Sequence, residues 1–132
     1  MSTALTAASD KQRSPTVYEQ RVYQVCSAIP KGKVSTYGSL AAMLKSSPRA
    51  VGQALRRNPS APEVPCHRVV STSLNIGGFN GTWGDTIQVK QKREMLLQEG
   101  VLFDSDTKIA AVCIIPAADL ERSYLKSQVV NG

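Results

Sequence analysis

The chain has few of the residues that bind metals or form disulfide frameworks. Its 132 residues include three cysteines and a single histidine, without a C-x-x-C pair. A structural zinc site uses four Cys or His ligands, and this chain could supply four only by using all of them, at spacings that match no zinc pattern. A small, odd number of cysteines also argues against a disulfide scaffold. The sequence therefore predicts neither a metal nor a disulfide framework.

Long hydrophobic runs are missing as well. No apolar run approaches the roughly 20 residues that a membrane-spanning helix needs. Residues 1–14 are small and polar, lack the apolar centre of a signal peptide and predict a flexible tail. Hydrophobic residues make up 42 % of the chain, which is typical of a globular fold. We expect an intracellular monomer without a membrane partner, nuclear in a eukaryote and cytoplasmic in a prokaryote.

Negative charge is scarce in one segment. Between Pro30 and Val70 the only acid is Glu63, in a chain whose formal net charge is +6. The basic residues of this segment are Lys31, Lys33, Lys45, Arg49, Arg56, Arg57 and Arg68. Such one-sided charge repels itself unless a polyanion faces it, which favours a nucleic-acid partner. A solvated basic face is the alternative interpretation.

The apolar spacing predicts a helix-turn-helix. One helix covers residues 16–29 and ends at Pro30 and Gly32. Ser35 or Thr36 caps the next helix, which runs through Leu44. After a break at 45–47, Ser47 caps a basic helix over 48–57, with Pro48 in its first turn. Many helix pairs share this pattern, so by itself it does not identify a function.

The rest of the chain predicts minor β structure and one more long helix. Val69 and Val70 are strand-like, and residues 89–99 form an amphipathic helix that stops at Gly100. Residues 101–103 and 108–115 predict a hairpin, and a short helix from Ala117 is expected to fray. The predicted fold is mainly α with minor β, with a tail over 1–14, a domain over 15–116 and a tail over 117–132.

The run Val64-Pro65-Cys66-His67-Arg68-Val69-Val70 contains the most reactive pair of side chains. A thiol is a poor nucleophile until it loses its proton, and the adjacent His67 could accept that proton directly or through a water. The alternative is that Cys66 is a buried cysteine and His67 a hydrogen-bonded core histidine, as is usual for an arbitrary Cys-His pair.

Several separated motifs resemble one family. Pro65-Cys66-His67-Arg68-Val69 is identical to the active-site signature of the O6-alkylguanine-DNA alkyltransferases. Residues 48–52 and 57–59 resemble that family's recognition helix and the segment after it. Residues 77–81 resemble its glycine-rich loop, and residues 96–100 its late helix and stop. The order and spacing match over roughly Val17 to Gly100, so the chain is identified as a member of this family.

The resemblance implies a set of catalytic roles. Cys66 accepts the alkyl group, His67 acts as its base through a water, and Glu99 orients His67. Tyr37 protonates or hydrogen-bonds N3 of the departing guanine. Asn58 hydrogen-bonds the backbone between the helix and the nucleophile segment. Transfer needs no cofactor, and one protein molecule repairs one lesion because nothing evident removes the thioether.

The resemblance also implies how DNA is bound. The partner is double-stranded DNA with O6-alkylguanine, bound in the minor groove with the damaged base flipped out. Arg49 fills the gap in the base stack. The expected DNA contacts are Thr36, Lys45, Arg49, Ala50, Gly52, Gln53 and Arg56. The pocket consists of Tyr37, Val69, Phe79, Asn80 and Gly81, where the carbonyls of Cys66 and Val69 accept from the exocyclic amine and the Asn80 N–H meets O6.

Two other functions remain open at this point. Alkyltransferase-like proteins bind O6-alkylguanine without transfer and recruit nucleotide excision repair, and the single-domain length resembles theirs. In them the position of Cys66 usually holds a non-nucleophile, so Cys66 favours the transferase. A helix-turn-helix transcription regulator explains the basic helix but leaves the Cys66 signature unexplained. Phe79 departs from the tyrosine that the family often has there.

Overall fold

The structure is a computed structural model that describes residues 14–59, 63–77 and 86–131. Over these ranges the chain forms five α-helices, two short strands and two 3₁₀ turns. The helices are α1 (Val17–Ser27), α2 (Tyr37–Leu44), α3 (Pro48–Arg56), α4 (Ile87–Gln98) and α5 (Ala117–Asn131). The strands are β1 (Ser35–Thr36) and β2 (Val69–Val70), and the 3₁₀ turns are Cys66–Arg68 and Ala111–Cys113. The predicted fold class, mainly α with minor β, is confirmed.

The first three helices begin at hydroxyl caps. Thr16 forms a reciprocal capping box with Glu19 at the start of α1. Thr36 caps α2, and Ser47 caps α3 with Pro48 in the first turn, as predicted. Between them Lys45 adopts the left-handed conformation, with φ 54°, and ends α2 abruptly. The tight break places α2 and α3 as a helix-turn-helix.

A first apolar cluster fixes α3 with its polar face outward. It includes Val22 and Cys26 from α1, Leu40 from α2 and Val51 from α3. The Tyr23 hydroxyl also donates to the Ala54 carbonyl at 2.7 Å, which ties α1 to the end of α3. Because α3 is anchored along one side, its arginines remain on the outer side.

The two strands bring distant segments together. β1 and β2 pair in parallel with Ser35 opposite Val69 and Thr36 opposite Val70. Tyr37 follows β1 directly, so this pairing places Tyr37 beside the segment that holds Cys66. A second apolar cluster, which includes Val34, Val70, Ile76, Val89, Leu96 and Ile109, packs under the strands.

The predicted hairpin is only partly present. Phe103 and Ile109 form an antiparallel bridge, but the second arm is interrupted by the 3₁₀ turn at Ala111–Cys113. This turn redirects the chain so that Ile114 bridges Val34 in parallel, while Cys113 is buried in the second cluster. Tertiary pairing with Val34 therefore replaces the longer hairpin.

The last helix is longer and better anchored than expected. The chain after Ala117 was predicted to form a short helix that frays into a tail, whereas α5 has 15 residues. Leu120 is fully buried in the first cluster, and the Ser123 hydroxyl donates to the Ala28 carbonyl at 2.7 Å. Docking onto α1 stabilises a helix whose own apolar pattern is weak. Within the described residues, no helix combines the length and apolar character needed to cross a membrane.

Candidate active site

The nucleophile segment is held from both sides. The Asn58 side chain, 2 % exposed as a residue, donates from Nδ2 to the Val64 carbonyl at 3.0 Å. Cys66 then opens a single 3₁₀ turn, and β2 follows. The contact predicted for Asn58 is therefore present. Cys66 is half-buried, whereas Cys26 and Cys113 are buried, so Cys66 is the most accessible of the three thiols.

His67 is paired with Glu99. Its Nε2 lies 2.9 Å from Oε2 of Glu99, which ends α4, although 31 residues separate the two in the chain. Burial lowers the pKa of His67 below 6.5, more than the Glu99 carboxylate raises it. The imidazole is consequently neutral at pH 7 and able to accept a proton.

Arg68 also binds Glu99, which the sequence interpretation missed. Arg68 Nε donates to Oε1 and Nη2 to Oε2, each at 2.9 Å, and Nη1 donates to the Ile29 carbonyl at 2.8 Å. Partial burial opposes ionisation of Glu99, but the hydrogen bonds from Arg68 and His67 outweigh it and lower the pKa of this carboxyl. The network therefore holds an ionised carboxylate against the imidazole.

Tyr37 and Lys92 border the same site. Burial raises the pKa of Tyr37 to about 12, with smaller contributions from the Cys66 and Cys26 thiols, so the phenol keeps its proton. Lys92 is fully buried, and its Nζ lies 6.0 Å from the centroid of the Tyr37 ring. Sequence reasoning passed over Lys92, although a lysine between Val89 and Leu96 on the buried side of α4 was a signal.

Most of the predicted DNA contacts lie on the surface. Lys45, Arg49, Gln53 and Arg56 are exposed, and Ala50 and Gly52 are half-buried. Thr36 is the exception, because it is 7 % exposed and its hydroxyl accepts from the Ser39 N–H as the cap of α2. A side chain used in this way is poorly placed for a phosphate contact.

The predicted pocket is partly described. Tyr37 is half-buried and Val69 fully buried, with its carbonyl bonded to Lys92. Phe79, Asn80 and Gly81 lie outside the described residues. Among residues 14–59, 63–77 and 86–131, no group of three Cys, His, Asp or Glu side chains is arranged to hold a metal.

A helix-turn-helix with exposed arginines thus lies beside a thiol, an imidazole and a carboxylate, which is the arrangement expected of a DNA-binding protein with a cysteine nucleophile. Residues 17–101 match the family model described as "6-O-methylguanine DNA methyltransferase, DNA binding domain". This match covers more than half of the chain, and the chain belongs to that family.

Individual relatives agree with this assignment. The chain is 43 % identical over 86 residues to the methylated-DNA–protein-cysteine methyltransferase of Methanothermobacter thermautotrophicus, covering 65 % of this chain and 46 % of that protein. The O6-methylguanine-DNA methyltransferase structure from Pyrococcus kodakaraensis KOD1 is 41 % identical with a TM-score of 0.57, covering 65 % of this chain and 47 % of the other. The chain thus spans about half the length of such relatives.

A third similar protein has a lower sequence identity, but the match covers more of its length. The structure of Schizosaccharomyces pombe Atl1 with damaged DNA containing O6-carboxymethylguanine is 28 % identical, with a TM-score of 0.59. The match covers 75 % of this chain and 94 % of the Atl1 chain. The matched part of this chain therefore corresponds to nearly the whole of the solved Atl1 chain.

Proposed function

We propose that this protein repairs double-stranded DNA by moving an alkyl group from O6 of guanine to Sγ of Cys66. The observation that carries the proposal is the arrangement around Cys66: the half-buried thiol precedes His67, whose Nε2 is bound by Glu99 at 2.9 Å. Domains of the matching family are named for 6-O-methylguanine DNA methyltransferase. The chemistry assigned here extends that name to this chain.

Proton transfer activates the thiol. With Nε2 donating its hydrogen to Glu99, Nδ1 holds the lone pair that accepts the thiol proton, directly or through a water. The imidazolium that forms is stabilised by the Glu99 carboxylate. Arg68 keeps that carboxylate in place through two hydrogen bonds. Arg68 therefore acts as a positioning residue in the proposal.

Displacement and protonation complete the reaction. Sγ of Cys66 attacks the alkyl carbon, a carbon–sulfur bond forms, and the bond from that carbon to O6 breaks. The electron pair leaves with guanine, and Tyr37 donates its phenolic proton to N3. The proton held by His67 returns through solvent to restore Tyr37. The product is a thioether at Cys66. Its carbon–sulfur bond is not cleaved under these conditions, so one molecule repairs one lesion.

The outer side of α3 is the proposed DNA surface. Arg49 lies in the first turn of this helix and is exposed, as are Gln53 and Arg56. A Cβ added at Gly52 would meet nothing within 4 Å, so this glycine is not required by packing inside the protein. A small residue there allows close approach of the DNA backbone. We place α3 in the minor groove, with Arg49 filling the gap left by the flipped nucleotide.

The proposed repair unit covers residues 15–116, acts as a monomer and is completed by α5, which packs on α1. Extruding the damaged nucleotide costs a few kcal/mol, and a poorly paired alkylated guanine costs least. Because positive charge dominates the DNA surface, affinity should fall steeply as salt is added.

The decisive experiment is intact-protein mass spectrometry after incubation with duplex DNA containing one O6-methylguanine. We expect each chain to gain the mass of one CH₂ unit, localised to Cys66 by peptide mapping. Cys66→Ala should gain no mass and still bind the duplex. Transfer to a different residue, or transfer that persists in Cys66→Ala, would contradict the assignment.

The alternative is a sensor that binds the lesion without transfer and recruits a nucleotide excision repair protein. The likeness to Atl1, which was solved with damaged DNA, is consistent with it, whereas the nucleophilic side chain of Cys66 favours transfer. Tight, lesion-selective binding with no gain of mass by the wild-type chain would establish the sensor.

A further inference from the structure

Lys92 occupies a position where its charge is costly. It lies on the buried side of α4 with Val89 and Leu96, and it is 0 % exposed. Val89 and Leu96, which flank it on this side of the helix, both belong to the second apolar cluster. An apolar side chain of similar length would fill this position without removing an ammonium group from water.

The amine of Lys92 connects two segments that border the site. Nζ donates to the Val69 carbonyl at 2.9 Å and to the Ile76 carbonyl at 2.6 Å. Val69 follows the 3₁₀ turn that begins with Cys66, and Ile76 precedes Gly77, the start of the glycine-rich segment. A single side chain therefore joins the nucleophile segment to the chain that enters the predicted pocket loop.

Gly77 lies close to both Tyr37 and Lys92. A Cβ built on Gly77 would come 3.6 Å from Cε2 of Tyr37 and 3.7 Å from Nζ of Lys92. Gly77 itself has a φ of +77°, which L-residues with side chains rarely adopt. Gly77 therefore lies close to Tyr37 and Lys92, where an added side chain would be in ordinary van der Waals contact with both.

Burial makes the charged form of the Lys92 amine costly in free energy. It lowers the pKa of Lys92 to about 7, although the Cys66 and Cys26 thiols oppose the change. Residues that break the pattern of an apolar core without stabilising it are typical of functional sites.

We propose that Lys92 is a positioning residue that fixes the Val69 and Ile76 carbonyls relative to each other and so holds two walls of the guanine pocket in their reactive arrangement. The inference deepens the proposed function and rests on it. Its role is to donate two hydrogen bonds, and it does not itself contact the transferred group.

The test compares the full-length wild type with Lys92→Met and Lys92→Gln. Both substitutes are one bond shorter than lysine. Methionine removes both donors, whereas the glutamine amide keeps two N–H groups. Lys90→Met is the matched control, because it makes the same change at an exposed position of α4. Single-turnover methyl transfer is measured over a range of duplex concentrations to separate the maximal rate from the DNA Kd.

We expect Lys92→Met to lower the maximal rate by about tenfold or more, since small misplacements of reacting groups cost up to about 10²-fold. The DNA Kd should not rise, because the proposed DNA surface on α3 lies elsewhere. The Tm at pH 7 should not fall, because a buried charge has been removed. Lys92→Gln should recover part of the rate, and Lys90→Met should match the wild type. Hydrogen exchange of residues 69–77 should be faster in Lys92→Met.

Three results would overturn the inference. The first is a maximal rate for Lys92→Met within about twofold of the wild type, because that loss of rate is too small for lost positioning. The others are equal losses of rate in the Met and Gln variants, or a parallel loss of rate, DNA affinity and Tm in both variants. If the wild type transfers no methyl group, the proposed function fails instead. Hydrogen exchange then still decides whether Lys92 links the two segments, because unchanged exchange in Lys92→Met would reject that link on its own.

Discussion

The guanidinium of Arg68 binds both oxygens of the Glu99 carboxylate, each at 2.9 Å. The fork geometry of arginine matches a carboxylate in a way that lysine cannot reproduce. One of the same oxygens also faces His67 Nε2. The position of the proposed base therefore depends on an ion pair between its neighbour in the chain and the end of α4.

Removing the charge of Arg68 should change the titration of His67. The Arg68 charge contributes to lowering the pKa of His67, so Arg68→Gln should raise that pKa. NMR titration measures it directly, because His67 is the single histidine of the chain. Transfer should slow by about tenfold, a part of the roughly 10²–10⁴-fold that a general base contributes.

Arg93→Gln is the control for this prediction. Arg93 is half-buried, and its Nε donates to the Asp106 carbonyl rather than to Glu99. An unchanged His67 titration in Arg68→Gln would show that the ion pair does not govern the imidazole.

Thiol accessibility predicts selective labelling. Iodoacetamide should add one group to the folded protein, at Cys66, because Cys26 and Cys113 are buried. Burial also raises the pKa of the Cys26 thiol, which keeps this thiol protonated and unreactive. Peptide mapping should find three labelled cysteines after denaturation. Labelling of Cys26 in the folded protein at a rate similar to Cys66 would contradict the described packing.

Tyr37 should matter only when the leaving base has N3. Tyr37→Phe removes the phenolic proton, which the buried site keeps in place since the pKa of Tyr37 is raised to about 12. We expect single-turnover transfer from O6-methylguanine to slow by about 100-fold, the lower end of the range for general acid catalysis. The 3-deaza analogue of the base should react equally with both proteins. A similar loss on both bases would indicate a packing role.

Two glycines offer a matched pair for stability. A Cβ at Gly52 or at Gly100 would meet nothing within 4 Å, but Gly52 is helical whereas Gly100 has a φ of +93°. Gly52→Ala should therefore increase the free energy of unfolding by about 0.5–1 kcal/mol. Gly100→Ala should lower it by about 1–2 kcal/mol. Urea denaturation measures both changes.

Stability and DNA affinity should change in opposite directions at Gly52. The added methyl group would project towards the proposed DNA surface, so Gly52→Ala should bind duplex DNA more weakly while it unfolds less easily. Unchanged DNA affinity would contradict the proposal that α3 is the element closest to the DNA backbone.

Lys92 should make stability depend on pH. Its pKa is lowered to about 7 in the folded protein from 10.5, so above pH 7 the unfolded chain holds a proton that the folded protein has lost. The free energy of unfolding should then rise with pH between about 7 and 9. Above that range the Cys26 thiol, whose pKa burial raises from 9.0, opposes the rise because the folded protein keeps its proton longer.

The difference between the wild type and Lys92→Met isolates this effect. Urea denaturation at pH 7, 8 and 9 should show a rise in the wild type that the variant lacks. Equal slopes in the two proteins would mean that the amine of Lys92 titrates near its ordinary pKa.

Local patterns predicted the helix starts well and the later chain less well. Ser47 followed by Pro48 is a strong start signal, and α3 begins there. The segment 108–115 has the apolar residues of a strand, but its path depends on Val34, far away in the chain. Similarly, α5 depends on burying Leu120 against α1, which no local pattern of residues 117–131 reveals.

The sequence by itself determined the helix-turn-helix, the basic α3 and the Cys66 and His67 pair, because hydroxyl caps, apolar spacing and adjacency in the chain are local properties. It also pointed to Glu99, but only through the family resemblance. The tertiary structure alone decided that Arg68 holds Glu99 and that Lys92 joins Val69 to Ile76. These contacts link residues 16 to 31 positions apart, and their strength comes from burial, which exists only once the two clusters have packed.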